Sequence, residues 1–294
     1  MATPRQWIEG ARPRTLGAAL APIAVGTGAA AAVGSVQPLR AALALVVMLA
    51  AQVGANYAND YSDGIRGTDE ERIGPVRLVG QGLASPGRVR GAALACLLVS
   101  AVAGLILVAI TGQWWLLVVG AAALLAAWLY TGGPRPYGYL GLGEVFVFAF
   151  FGVVPVVGTA YVQVLAFPAV AWVASIGVGA LTCAVLVANN LRDIPTDAAV
   201  GKRTLAVRMG DRATRVGYVA LVVAAFAIIP PIALPGGLGL PFAWLGIAAA
   251  PLAFRPVRAV VRGADGRALV PVLQTTGLLV LTYGLLQGIG LALS

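Results

Sequence analysis

Apolar residues run through this chain in long unbroken blocks, near 15–34, 40–60, 92–111, 114–130, 143–161, 169–190, 215–234, 240–257 and 271–291. A bilayer core takes about 20 apolar residues as a helix. Several blocks reach that length, and the runs are continuous rather than alternating every second residue as barrel strands do. Backbone in lipid must satisfy its own hydrogen bonds, which leaves helices. The pattern predicts an all-α, polytopic membrane protein: nine transmembrane helices around a central cavity, forming one domain over 1–294. The first run, Thr15 to Val33, follows Arg12 and Arg14 and so imitates a signal peptide. Its length and the polytopic remainder predict a retained span instead.

Composition agrees with lipid as the solvent. Apolar residues make up 60% of the chain and charged residues 11%, against about 25% charged in an average soluble domain. Charge concentrates in three loops, 61–91, 191–214 and 258–270, and in the N-terminal segment. With nine spans, 19 of the 20 basic residues share one face, and only Arg40 lies opposite. The positive-inside rule puts that face in the cytoplasm, with the N-terminus in and the C-terminus out of a cell membrane. The net charge of +9 is then read as membrane orientation, with no nucleic-acid partner. All eleven acidic residues fall on the same face, so charged substrates are handled from the cytoplasm. There is no histidine, which excludes His-ligated haem, His-based zinc and His general bases. Cys96 and Cys183 both lie in apolar runs and read as small packing residues rather than a disulfide.

Two polar motifs interrupt this pattern. The first is Asn56-Tyr-Ala-Asn-Asp60-Tyr-Ser-Asp63, and the second runs from Asn189 and Asn190 through Asp193 to Asp197. Offsets of four and seven residues amount to about 40° and −20° around a helix. Asn56, Asp60 and Asp63 therefore form one stripe if the helix continues, and Asn189, Asn190, Asp193 and Asp197 share a face in the same way. The two segments are also a loose repeat, Ala58-Asn-Asp-Tyr-Ser-Asp63 against Ala188-Asn-Asn-Leu-Arg-Asp193. Each closes an even-numbered span and opens a charged loop, which suggests two halves facing one cavity. Clustered carboxylates at a membrane boundary ask for a cation. Hard oxygen donors without His or Cys point to Mg²⁺, which usually binds substrate phosphate as well. The plainer reading is helix caps and ion pairs, with Arg66 or Arg192 as partners. It explains one motif better than two matched ones.

Arg66 and Arg72 follow the first motif; Lys202, the only lysine, and Arg203 follow the second. Arg forks and a Lys point charge are usual phosphate partners. Arg208, Arg212 and Arg215, with Arg255, Arg258, Arg262 and Arg267 in the eighth-to-ninth region, read as topology signals. A third segment, Tyr130-Thr-Gly-Gly-Pro-Arg-Pro-Tyr137-Gly-Tyr139-Leu-Gly-Leu-Gly-Glu144, is turn-rich. Its tyrosines and Glu144 would face the cytoplasmic mouth, where aromatic faces can stabilise an allylic cation.

These motifs resemble the UbiA-type intramembrane aromatic prenyltransferases, and within that superfamily the menaquinone-pathway branch acting on 1,4-dihydroxy-2-naphthoate. The resembling segments are Ala11–Leu16, Asn56–Gly64, Arg77-Leu-Val, Tyr130–Pro134, Gly141–Glu144, Asn189–Asp197 and Gly201–Val207, spread over essentially the whole chain. The resemblance implies transfer of a polyprenyl group from polyprenyl diphosphate to 1,4-dihydroxy-2-naphthoate with decarboxylation, giving demethylmenaquinone, diphosphate and CO₂. It implies two Mg²⁺ ions, one on Asn56, Asp60 and Asp63, the other on Asp193 and Asp197 with Asn189 or Asn190. Asp60, Asp193 and Asp197 would be catalytic, an Asp near the metals taking a hydroxyl proton. Arg66, Lys202 and Arg203 would grip the diphosphate. Arg12 or Arg14 would meet the acceptor carboxylate, with Tyr130 and Tyr139 beside the acceptor. The superfamily spacing Asn-x3-Asp-x3-Asp meets Gly64 here, with Asp63 one residue early and Asp69 as the substitute. Another acceptor (4-hydroxybenzoate, haem or chlorophyllide) and a transporter with paired repeats are the competing readings. The far face is almost uncharged, which disfavours the transporter.

Overall fold

The computed structural model describes residues 2–67 and 76–294. Asp69 and Arg72 lie outside these. Among the described residues the regular structure is helical throughout. A short helix α1 (Pro4–Gly10), started by a Thr3–Gln6 capping box, leads through a turn into α2 (Gly17–Ala32). Then come α3 (Pro38–Ile65), α4 (Pro86–Thr111), α5 (Leu116–Leu129), α6 (Gly143–Val164) and α7 (Ala169–Arg192). A six-residue helix α8 (Ile194–Ala199) precedes α9 (Leu205–Ala233). A 3₁₀ segment, Pro241–Ala249, leads into α10 (Pro251–Val261), and α11 (Leu269–Leu293) ends the chain.

Six of the described helices are long and apolar enough to cross a bilayer: α3, α4, α6, α7, α9, and α11 with its leading turn. The number is up to eight if each of two bent pairs is one span: Pro4–Thr15 with α2, bent by 46°, and the 3₁₀ segment with α10, bent by 47°. The second bend falls at Pro251, whose ring cannot continue a preceding hydrogen-bond ladder. The remaining predicted window, 114–130, holds α5, which has only 14 residues. The protein is therefore a multi-pass membrane protein.

Several helices outrun their predicted windows. α3 continues five residues past 60, so Asn56 to Asp63 do sit on one uninterrupted helix. Its 28 residues make a rod of about 42 Å, longer than the hydrocarbon layer, so part of it emerges into the polar zone. α9 begins ten residues before 215, inside the expected charged loop. It can do so because its first turns are exposed and carry an Asp211–Arg215 pair at i,i+4. The turn is interrupted at Gly210, whose φ of 78° suits glycine.

Packing is close where residues are small. α2 lies along α11, and a methyl on Gly28 would sit 2.2 Å from the Gly288 carbonyl. Such contacts let membrane helices approach backbone to backbone. α7 is the most enclosed span, held by α2, α6, α9 and α11. The outward faces stay apolar, as with Leu98, Val102 and Leu105 on α4 and Val216 and Val223 on α9, which suits lipid rather than water.

Between the helices lies a cavity of about 1700 Å³, lined by α2 to α7 and α11. Apolar side chains line most of it. α6 contributes Phe146, Phe150, Phe151 and Val154 across a π-helical turn, Ala149–Val153. That extra residue per turn shifts the register of the lining face, a device frequent at functional sites.

Candidate active site

The polar end of the cavity is built where α3, α7 and the corner between α1 and α2 converge. On α3 the lining residues are Gln52, Asn56, Asn59 and Asp63. Asp60 belongs to the opposite flank. Its carboxylate accepts the backbone N–H of Leu78 at 2.7 Å and of Val79 at 3.1 Å, and the residue is 1% exposed. The expected stripe of Asn56, Asp60 and Asp63 is thus divided: Asn56 and Asp63 meet the cavity, and Asp60 ties down the returning loop. Gly64 belongs to the same contact. A methyl there would lie 2.5 Å from the Val79 side chain, so the loop packs where the superfamily spacing would put a third acid.

Asp63 is buried at the cavity wall. It accepts the Tyr139 hydroxyl at 2.8 Å, and the Arg77 guanidinium approaches it at 3.8 Å. Arg77 is itself 5% exposed and lines the cavity. Asn59 accepts the Thr131 hydroxyl at 2.9 Å. Asn59 and Arg77 carry no role in the sequence reading. The internal repeat did pair Asn59 with Asn189, and that was the available signal for it.

In the second motif α7 ends at Arg192 and Pro195 sits in the first turn of α8, with Asp193 at the junction. The helical bonds nevertheless run on, from Asp193 N–H to the Asn189 carbonyl and from Asp197 N–H to the Asp193 carbonyl. Asn189 and Asn190 line the cavity; Asp193 and Asp197 stand behind them. Arg192 grips Asp193 with two bonds, at 2.6 and 2.8 Å, and reaches Asn189 at 2.8 Å. Lys202 lies 3.3 Å from Asp197 and lines the cavity. Asn190 donates to Glu144 at 3.0 Å.

The turn-rich segment 130–142 joins the two motifs. Tyr139 has the Lys202 ammonium 5.1 Å above its ring and the Arg66 guanidinium at 5.6 Å, while its hydroxyl holds Asp63. Arg66 is turned onto the Thr131 and Gly133 carbonyls, which makes it a clamp on this segment. The Arg203 side chain is exposed, and its backbone N–H donates to the Tyr139 carbonyl. Neither Arg66 nor Arg203 lines the cavity. Tyr130 and Tyr137 do, edge to face at 5.5 Å, with Tyr137 stacked on Phe146 at 4.0 Å. Burial pushes the Tyr137 phenol above its ordinary range, so these rings present neutral π-faces.

The third wall is the corner between α1 and α2. Arg12 adopts a left-handed backbone, φ 57°, which costs a non-glycine residue about 1–2 kcal/mol. Asn56 holds the corner through the Ala11 carbonyl at 2.8 Å and Thr15 at 3.2 Å. Arg12, Arg14 and Thr15 line the cavity as a result. Both cysteines are free.

Among the described residues no three Asp, Glu or Cys side chains form a ready metal cage. The cavity end offers instead one motif carboxylate, Asp63, and several amide oxygens, with Glu9 at the corner between α1 and α2 and two motif carboxylates behind. This donor set suits Mg²⁺, which is commonly held by one or two carboxylates and completed by phosphate oxygens. Around it stand the cations Arg12, Arg14, Arg77, Arg192 and Lys202. A polar, cation-rich end on a long apolar cavity suits an amphiphile with a strongly anionic head.

Known proteins share this plan. The chain is 51% identical to a 1,4-dihydroxy-2-naphthoate octaprenyltransferase of Mycobacterium tuberculosis, over 97% of this chain and 96% of that protein. Its fold matches the apo structure of a UbiA homolog from Aeropyrum pernix K1 with a TM-score of 0.71 at 16% identity, covering 94% and 97% of the two chains. It also matches a UbiA homolog from Archaeoglobus fulgidus bound to DMAPP and Mg²⁺, with a TM-score of 0.62 at 14% identity over 98% and 99%. The model of the UbiA prenyltransferase family itself matches residues 19–281. That range takes in both motifs and most of the helical wall of the cavity, and the protein is a member of that family of membrane-embedded prenyltransferases.

Proposed function

We propose that the protein transfers a polyprenyl group from polyprenyl diphosphate to 1,4-dihydroxy-2-naphthoate, releasing diphosphate and CO₂. The observation that carries this reading is the cavity: one cation-rich polar end, and an apolar remainder large enough for an isoprenoid chain. The relative from Mycobacterium tuberculosis bears the name of this activity. One domain over 1–294 serves it, with nine spans, the N-terminus inside and the C-terminus outside. The charge distribution supports a cytoplasmic active site in the cell membrane.

Two Mg²⁺ ions fit the two motifs. Asp63 with Asn59 would hold one, and Asp193 and Asp197 with Asn189 or Asn190 the other. Asp60 is assigned to the loop because both its oxygens accept fixed backbone N–H groups, whereas Asp193 is held by the side chain of Arg192, which can turn away from it. Bound Mg²⁺ supplies charge neutralisation that makes diphosphate a better leaving group. Arg77 and Lys202 each stand beside a motif carboxylate and line the cavity, so both can turn to the diphosphate. Arg66 and Arg203 act one step back, fixing the segment that carries Tyr139. As the allylic C–O bond breaks, its electron pair leaves with the diphosphate. Tyr130, Tyr137 and Phe146 present π-faces to the resulting cation. The ring carbon bearing the carboxylate attacks, and the bond to the carboxylate supplies the electrons that restore aromaticity as CO₂ departs. Arg12 and Arg14 would orient that carboxylate beforehand.

The test is transfer from a labelled polyprenyl diphosphate by the purified protein, with CO₂ release monitored. Prenylated naphthoquinol and stoichiometric CO₂ are expected, both lost on chelation of the metal. Product from 4-hydroxybenzoate, haem or chlorophyllide but not from the naphthoate would overturn the acceptor assignment.

A further inference from the structure

Gln52 lies one helical turn before Asn56 on α3, farther from the charged loops, and lines the cavity. It is 8% exposed. Its amide nitrogen donates to Thr15 Oγ1 at 3.1 Å and to Asn56 Oδ1 at 3.4 Å. Thr15 fixes the sense of this arrangement. The single hydroxyl hydrogen of Thr15 goes to the Arg12 carbonyl at 2.9 Å. Its oxygen can therefore only accept, from Gln52 and from Asn56 Nδ2. Flipping the Gln52 amide would set two acceptors against each other. Its Oε1 is left without a hydrogen-bond partner among the described residues, and buried polar atoms rarely stay so without a reason.

This atom needs a donor or a cation. The diphosphate and the acceptor's carboxylate are acceptors only, and the prenyl chain offers nothing. A metal ion held at Asp63 is out of reach. Gln52 precedes Asp63 by eleven residues on one continuous helix, about 16 Å along the axis. Ring hydroxyls remain. We infer that Gln52 is a specificity-determining residue that accepts a hydrogen bond from a phenolic hydroxyl of the aromatic acceptor. The inference rests on the proposed acceptor class. Arg12 and Arg14 line the same part of the cavity, so carboxylate and hydroxyl are read by one cluster: guanidinium for the anion, amide carbonyl for the donor. The amide is held in that sense by the same Thr15 and Asn56 that shape the corner.

Binding tests this better than turnover, because removing a hydroxyl also lowers the reactivity of the ring. Inhibition constants against 1,4-dihydroxy-2-naphthoate are measured for 2-naphthoate, 1-hydroxy-2-naphthoate and 4-hydroxy-2-naphthoate. The wild-type protein should prefer one monohydroxy compound over 2-naphthoate by about tenfold, the scale of one good hydrogen bond. In Gln52→Leu, and in the unbranched Gln52→Met, that preference should shrink to about twofold or less. The KM for polyprenyl diphosphate and the Mg²⁺ dependence should stay as they were. The ratio comes from one preparation and does not depend on its folded fraction. An unchanged preference in whichever variant is active would overturn the inference, as would a shifted Mg²⁺ dependence with preference intact. Failure of the wild-type protein to prenylate the dihydroxynaphthoate at all would instead strike the proposed function.

Discussion

The two acidic motifs use the same residue types and are held in opposite ways. The first rides on an unbroken helix, and its acids are met by distant parts of the chain: Asp60 by the backbone at Leu78 and Val79, Asp63 by Tyr139 and Arg77. The second breaks at Asp193, and its acids are met by neighbours in sequence: Asp193 by Arg192 and Asp197 by Lys202. The first motif therefore depends on how two loops fold back onto it, while the second also draws partners from its own segment. A matched pair of sequence motifs can thus have one half set by tertiary packing and the other set partly by its own neighbours in sequence.

The sharpest test of this contrast is Asp193→Ala. It strands the buried Arg192 guanidinium, at a cost of about 3–5 kcal/mol, read as a lowered thermal midpoint in detergent. Adding Arg192→Met should recover most of that stability but not activity, because the local pair is removed whole. Asp63→Ala removes the one motif carboxylate that lines the cavity. Turnover should fall on the order of 10²–10³-fold, with a smaller drop in midpoint than Asp193→Ala gives, because Arg77 stands at 3.8 Å from Asp63 rather than in a two-bond grip. Asp60→Ala should invert that balance. One buried and one half-buried N–H group lose their acceptor, at about 1–3 kcal/mol for the buried one and less for the other, and activity should fall only as far as the loop carrying Arg77 loosens. Equal losses of turnover in the Asp60 and Asp63 variants, with equal midpoints, would erase the division within the first motif. Tyr139→Phe should be mildest, a few-fold loss in kcat, since one hydrogen bond to Asp63 goes while the ring over Lys202 and Arg66 stays.

Much of this was legible in the chain. The apolar runs located α3, α4, α7 and α11 with ends off by up to six residues, because lipid demands length and apolarity and little else. The charged turns of α9 were read as loop because an exposed amphipathic extension of a span carries no long apolar run. At the site, spacing put Asn56, Asp60 and Asp63 on one stripe, which is geometrically sound. Which flank of that stripe meets the cavity depends on the loop around Leu78, and helical period alone says nothing of it. Arg77 stood out within Arg77-Leu-Val but received no role for the same reason, since it reaches Asp63 only through that loop. The left-handed corner at Arg12 has no glycine to announce it and is held by Asn56 on another helix.

The shortness of α5 carries a consequence for the surrounding lipid. Its 14 residues rise about 21 Å, against a hydrocarbon layer of about 30 Å. Trp114 and Trp115 flank one end, residues that anchor at headgroup depth, while the other end runs into the cavity wall at Tyr130. If α5 serves as a span, the membrane beside it must thin to meet those anchors, and α5 supplies a long stretch of the cavity wall. The depression would bring headgroups, and the diphosphate of an isoprenoid lying among them, closer to the midplane at the place where the chain has to pass inside. Hydrophobic mismatch would then be part of how this protein collects its donor, and acyl-chain length in the host bilayer a lever on its KM.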